Sequence, residues 1–237
     1  MKIILIEGVP GAGKSTMAEG LCALATSTGM DAQWYLEEMH DHPAHPISLT
    51  RDKGHPEFAR ACLRYWQDFA HRVSEKQTLH ILEGSVFQSN VRFMMEQRRQ
   101  GISEYFGQFE KILSVLSPVL IYLRPKDVAQ HSRDISILRG SAWTGKVAQY
   151  LEKTPYCVNR KLSGEDGMHQ FWANYALLCD ELIACSVMPV KVIDVIFGSW
   201  DKSLSNGVEF LDGQGLALGS NRLNLANEPD FKWNVRA

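Results

Sequence analysis

At 237 residues, with 45% hydrophobic and 22% charged residues, the chain has the make-up of a globular protein with one substantial core. Its formal charge of −2 supplies no general field for a polyanion, so a broad nucleic-acid surface is excluded and any basic site must be local. No apolar run reaches membrane-spanning length, and five widely spaced cysteines without a C-x-x-C pair suit a reducing compartment. A cytoplasmic protein without a membrane or nucleic-acid partner is therefore expected. The oligomeric state is left open, a homodimer included.

In chain order, Ile3 to Ile6 is a short apolar run of the kind that forms a buried parallel strand. Gly8-Val9-Pro10-Gly11-Ala12-Gly13-Lys14-Ser15 follows and satisfies G-x-x-x-x-G-K-[ST], with Thr16 next. Ser15 to Thr28 then reads as a helix, with Met17, Leu21, Leu24 and Ala25 on one face. This strand–loop–helix context is what the motif's mechanism needs. The glycines turn backbone N–H groups inward, and the helix N-terminus adds partial positive charge. Lys14 is expected to reach the β- and γ-phosphates of a nucleoside triphosphate, and Ser15 to ligate Mg²⁺.

Ala32 to Leu36 is the second strand, and Glu37 to His55, rich in His and Pro, reads as a loop. Phe58, Cys62, Tyr65, Trp66, Phe69 and Val73 fall at helical spacing; the favoured reading is core, against a stacking wall for a base. Leu79 to Leu82 is the third strand, ending in Glu83-Gly84-Ser85, and a helix runs from Ile102 to Leu116. Val119 to Leu123 is the fourth strand, and Pro125 is expected to open the next helix at N1. Phe171 to Ile183 is a further helix and Val190 to Val195 the fifth strand. Beyond Ser199, Val208 to Leu211 and Leu216 to Leu218 flank Asp212-Gly213 and read as a hairpin, with Phe231 and Trp233 as another short strand. The expected architecture is a three-layer α/β/α P-loop NTPase fold over residues 1–198, with a five-stranded parallel sheet and a small β appendage over residues 199–237.

Ligands of such sheets bind outside the carboxyl ends of the strands, a rim shared by the Gly8–Ser15 loop, Glu37, Glu38, Glu83 and Arg124. The carboxylates Glu37 and Glu38 would suit hydroxyl or amine groups of an acceptor, and Arg51 and Arg92 are further polar candidates on the same side. Arg98 and Arg99 read as a solvated face. The histidines of the Glu37–His55 loop also read as solvated, in preference to a metal site.

The order of these features resembles the nucleotide and nucleoside kinase group of P-loop proteins. The stretches LIEGVPGAGKST, EEMHDHP, ILEGSVFQ and VLIYLRPKDV are more closely similar to a bacterial kinase-like P-loop family known by its nucleotide-binding motif. The likeness spans roughly residues 1–195. It implies an ATP- and Mg²⁺-dependent transfer of the γ-phosphoryl group to a small-molecule hydroxyl, on a nucleoside, nucleotide, sugar or antibiotic. It also implies that Glu83 is either the base for the acceptor hydroxyl or a carboxylate near the metal. It further implies a lid over about residues 139–166, with Arg133 or Arg139, after the fourth strand, as the transition-state arginine. The competing reading is an NTP-hydrolysing switch without an acceptor, weakened by the lack of an N-K-x-D motif.

Overall fold

Ile3–Gly8 (β1) is buried at every position, because strands lie on both its edges and helices on both its faces. The computed structural model describes residues 2–196 and 199–218. Its sheet is wholly parallel and five-stranded, in the order β2-β3-β1-β4-β5, with β2 at Ala32–Tyr35, β3 at Leu79–Glu83, β4 at Val119–Pro125 and β5 at Val190–Val195. This is the expected three-layer α/β/α arrangement. Register sets the working edge: Ile6 pairs with Glu83, and Gly8 with Leu123. The end of β3 is thus held beside the start of the loop that follows β1.

On one face, Lys14–Ser27 (α1) packs against Trp200–Gly213 (α10). Gly207 of α10 comes so close to Met17 that a Cβ there would lie 3.2 Å from the Met17 sulfur. On the other face, Phe58–Ser74 (α3) packs against Ile102–Leu113 (α5), through a Trp66–Phe109 edge contact with ring centroids 4.8 Å apart. Trp66 and Phe69 are core residues, as expected from their spacing. Val128–Arg139 (α6), Ser141–Leu151 (α7) and Pro155–Arg160 (α8) follow β4, and Gly164–Ala184 (α9) packs on α6 and α7.

Several elements differ from the sequence reading. No hairpin forms at residues 208–218: Val208–Leu211 lies within α10, and Asp212 and Gly213 form its last turn. Trp200, Leu204, Val208 and Leu211 recur at helical spacing, and this longer frame outweighs the short apolar run. The helix end is marked by Gly215, whose φ of 87° supplies the left-handed residue after the last turn. Phe231 and Trp233 lie outside the described residues. Pro125 does not open a helix. It is the last residue of β4, paired with Val195, and α6 is capped instead by Asp127, whose carboxylate accepts from the Gln130 N–H at 2.8 Å. The Glu37–His55 loop contains one short helix, Ile47–Arg51 (α2), and the helix begun at Ile102 tightens to 3₁₀ at Ser114–Leu116.

Unforeseen too is the chain after β3. A π-helical turn at Phe87–Val91 runs into Arg92–Glu96 (α4). The Val91 N–H reaches back five residues to the Val86 carbonyl, at 2.9 Å. The wide turn places Asn90 between α3 and α5, where its Oδ1 accepts from Trp66 Nε1 (2.9 Å) and from the Tyr105 hydroxyl (2.8 Å). Asn90→Ala leaves two buried donors without this acceptor, and should lower the unfolding free energy in urea by roughly 2–4 kcal/mol.

Candidate active site

The loop between β1 and α1 is built by close approach. A Cβ on Gly8 would lie 2.6 Å from the Leu123 carbonyl oxygen, and one on Gly13 would lie 2.1 Å from the Trp200 ring. Gly13 also caps α1 with φ 91°, a left-handed geometry that glycine adopts without strain, and no side chain caps the helix there. The first turn of α1 therefore opens directly onto the loop. Lys14, 7% exposed, folds back so that its ammonium donates to Gln88 Oε1 (2.7 Å) and to the Val9 carbonyl (3.3 Å).

Around that ammonium stand three carboxyl groups. Glu7, on β1, is fully buried, and its Oε1 accepts from the Val86 N–H at 2.8 Å. Burial pushes its pKa up to about 8, against the opposing pull of the Val86 amide and Lys14. Glu83, at the end of β3, is also raised by burial, with Lys14 and Ser15 favouring its charge. Its Oε1 accepts from the Glu37 N–H at 3.3 Å, and its Oε2 is buried without a hydrogen-bond partner among the described residues. Glu37 turns inward from the end of β2; burial raises it to about 7, against Lys14 and Arg92.

The Glu37 carboxylate occupies the space a side chain at position 84 would need. A Cβ on Gly84 would lie 2.5 Å from Glu37 Oε2, and Gly84 has φ +57°. Arg92 completes the cluster: Nε donates to the Gln88 carbonyl (2.9 Å) and Nη1 to Glu96 Oε1 (2.7 Å). Burial opposes its charge, but Glu96 and Glu37 outweigh burial and raise its pKa.

The loop carrying Glu37 is fastened by two histidines that are buried, not solvated. His42 and His45 stack with centroids 3.6 Å apart and are 1% and 3% exposed. His42 Nδ1 accepts from the Ala44 and His45 N–H groups, both at 3.2 Å. Its proton therefore sits on Nε2, which faces Ser85 Oγ at 3.3 Å, and the Ser85 hydroxyl donates to the Glu83 carbonyl at 3.0 Å. The loop after β2 is thus pinned to the end of β3.

Of the other expected site residues, Arg124 pairs with Asp180 at 3.2 Å, away from this cluster. Glu38 and Arg51 are exposed. Arg133 is exposed with Nε 3.3 Å from Gln130 Oε1, and Arg139 lies 4.7 Å over the Trp143 ring. Their helix does approach the loop: His131 Nε2 meets the Pro10 carbonyl at 3.1 Å, and Ile135 packs on Gly11. Arg99 is no solvated charge, since it clasps the Lys53, His55 and Pro56 carbonyls. Glu7 and Gln88 were not read from the sequence. An acid inside an apolar strand was a usable signal for Glu7; Gln88 carries none, because its position depends on the π turn.

Ser15 and Glu83 offer the hard oxygen ligands that Mg²⁺ takes, and the unpartnered Glu83 Oε2 is free to bind an ion, so this donor set fits that metal.

No protein-family model and no curated protein sequence matches the chain. Its fold is similar to that of the YorR protein of Bacillus subtilis, solved in complex with phosphorylated GDP, with 11% identity over 90% of this chain and 98% of that one, at a TM-score of 0.50. A sugar kinase from Janibacter sp. HTCC2649 shares 14% identity over 90% of this chain and 95% of that one, at a TM-score of 0.47. A deoxyadenosine kinase from M. mycoides, with bound dATP, shares 16% over 89% and 99%, at 0.45. The sheet order and the Gly8–Ser15 loop together define the P-loop NTPase fold.

Two outcomes follow from this geometry. Gly84→Ala should destabilise the protein by roughly 1–3 kcal/mol in denaturant unfolding. Adding Glu37→Ala should return part of that loss, since it removes the clash and leaves only the backbone strain. The histidine pair makes stability acid-sensitive. Burial, and for His42 the neighbouring His45, lowers their pKa values from 6.5 to about 2 and about 4. The unfolded chain therefore binds protons first. Their contribution is full above about pH 6.5, and falls with pH until each folded-state value is reached. Between about pH 7.5 and about pH 5 the pair's own contribution falls by roughly 2–4 kcal/mol, opposed by Glu7 and Glu37, whose raised values make the folded chain take up protons first; the histidine part is read as the difference between the parent and His45→Phe in melting curves at the two pH values.

Proposed function

We propose that this protein is an ATP- and Mg²⁺-dependent phosphotransferase acting on a small-molecule hydroxyl. One observation carries the reading: the P-loop lysine, Lys14, shares a buried cluster with two carboxylates, Glu83 and Glu37, held in different surroundings. A pair of acids with separated environments is how one site divides two roles. Glu83, beside Ser15, is the group for the metal, which would neutralise charge on the phosphates. Glu37, raised to about 7 by burial and lying beside Arg92 as well as Glu83, is the base for the acceptor.

In this reading Lys14 leaves Gln88 to meet the β- and γ-phosphates. Glu37 takes the proton of the acceptor hydroxyl, whose oxygen forms the new bond to the γ-phosphorus. The bond from that phosphorus to the bridging oxygen breaks, and ADP leaves with the electron pair. Arg133 and Arg139, on the helix packed against the loop, are the cations proposed to close over the transferring group. The acceptor is an uncharged or amine-bearing hydroxyl compound, a nucleoside, sugar or antibiotic being of this kind. The acceptor side is acidic, and Arg92, its inward arginine, is already bonded to Glu96.

Transfer of labelled phosphate from ATP to candidate acceptors, chosen by thermal shift with a non-hydrolysable ATP analogue and Mg²⁺, tests this directly. Lys14→Ala should lower transfer by at least about a hundredfold. Glu37→Gln should lower kcat roughly 10²–10⁴-fold while ATP affinity is kept. Glu83→Gln should raise the Mg²⁺ concentration for half-maximal rate by roughly 10–100-fold. Hydrolysis of ATP at full rate with no acceptor, unaffected by Glu37→Gln, would instead establish a switch-type ATPase.

A further inference from the structure

The polar line that starts at Lys14 does not stop at Arg92. Through Gln88 and Arg92 it reaches Glu96, at the end of α4, whose side chain is 0% exposed. Glu96 Oε1 takes Arg92 Nη1 at 2.7 Å. Its Oε2 receives Lys53 Nζ at 3.3 Å and the Tyr150 hydroxyl. The Lys53 ammonium also bonds the Tyr150 hydroxyl and lies 4.3 Å over the Tyr150 ring and 4.9 Å over Phe93. Tyr150 is 37% exposed as a residue, but its hydroxyl end is the part turned inward.

These partners come from three separate segments. Lys53 lies in the connection between α2 and α3, on the acceptor side, where Arg99 clasps the backbone of residues 53–56. Tyr150 lies on α7, within the segment expected to act as a lid. Arg92 and Glu96 stand on α4, and the guanidinium of Arg92 faces Glu37. A carboxylate this deeply buried is tolerated only while cations and donors surround it. Withdrawing Lys53 removes one of the two cations on Glu96, and withdrawing Tyr150 removes a hydroxyl donor, so the positions of the two segments are energetically linked through Glu96 and through the direct Lys53–Tyr150 contact.

We propose that Glu96 is a positioning residue that couples the acceptor-side connection to α7 and holds both around Arg92. Lys53 and Tyr150 cannot each take their place on Glu96 unless both segments are closed. The word acceptor here rests on the phosphotransferase reading; the coupling itself rests on the contacts.

Hydrogen–deuterium exchange on the full chain, in Tyr150→Phe and in Glu96→Gln, tests the coupling. Tyr150→Phe removes one hydroxyl and keeps the ring under Lys53, so it should fold as the parent does. Both variants should speed exchange in α7 and, equally, in residues 52–57, although Tyr150 lies in neither that connection nor its backbone contacts. Faster exchange in α7 alone in Tyr150→Phe would overturn the proposal. In the transfer assay Tyr150→Phe should raise the acceptor KM by about tenfold, the size of one lost charged hydrogen bond, with kcat and the ATP KM little changed. A lower kcat at unchanged acceptor KM would likewise overturn it. If no acceptor-dependent transfer occurs with the parent protein, the phosphotransferase reading fails, and the exchange result still decides the coupling.

Discussion

The ammonium of a buried lysine must be held by something, and much of this molecule's carboxyl edge is organised by that demand. Lys14 cannot face water without leaving the loop that presents it, so it is met by Gln88 and the Val9 carbonyl, with Glu7, Glu37 and Glu83 around it. Glu7 and Glu83 are in turn buried, Glu37 partly so, and each needs its own partners. Val86 supplies an amide to Glu7, the Glu37 amide reaches Glu83, and Arg92 answers Glu37. Arg92 is then balanced by Glu96. The site is therefore a single sequence of compensations, not a set of independent side chains that happen to share a rim.

The scaffold that permits this is the parallel sheet. Strand register sets Glu83 level with Ile6, and the chain leaving β2 is brought back onto β3 by the stacked histidines and Ser85. The π turn after β3 is the less ordinary device. Its five-residue hydrogen bond widens the path, so that one short stretch carries Gln88 toward Lys14 and Asn90 toward Trp66 and Tyr105. Wide turns of this kind recur where side chains must leave a helix in directions a regular α-turn does not offer.

Much of the fold was legible in the residues themselves. Buried parallel strands are written as unbroken apolar runs, and Ile3 to Ile6 and Val119 to Leu123 could be read as nothing else. The Gly8–Ser15 loop declared itself through spacing and context, and amphipathic helices such as the one at Phe58–Ser74 through their period. What failed was whatever depends on partners distant in the chain. Arg99 looks like a surface charge until residues 53–56 present their carbonyls to it, and Arg124 looks like a site residue until Asp180 claims it. The last helix is masked because Val208–Leu211 is short and apolar, while the helical frame shows only over the longer span from Trp200, which packs on α1 where Gly207 meets Met17. Among the acids, position along the chain reveals Glu83 and Glu37, but not the neighbours that distinguish them, Ser15 beside Glu83 and Arg92 beside Glu37.

The contact between Gly84 and Glu37 has a consequence for descent. The one residue has no side chain and the other fills the room that absence leaves, so positions 37 and 84 form a single heritable unit, although 46 residues separate Glu37 from Glu83 alone. A lineage that acquired a side chain at 84 would meet both the Glu37 carboxylate and, at φ +57°, backbone strain, so shortening residue 37 would recover only part of the cost. Glycine at 84 is thus held by two constraints at once, and the length of residue 37 is free to change only in the direction that opens the space.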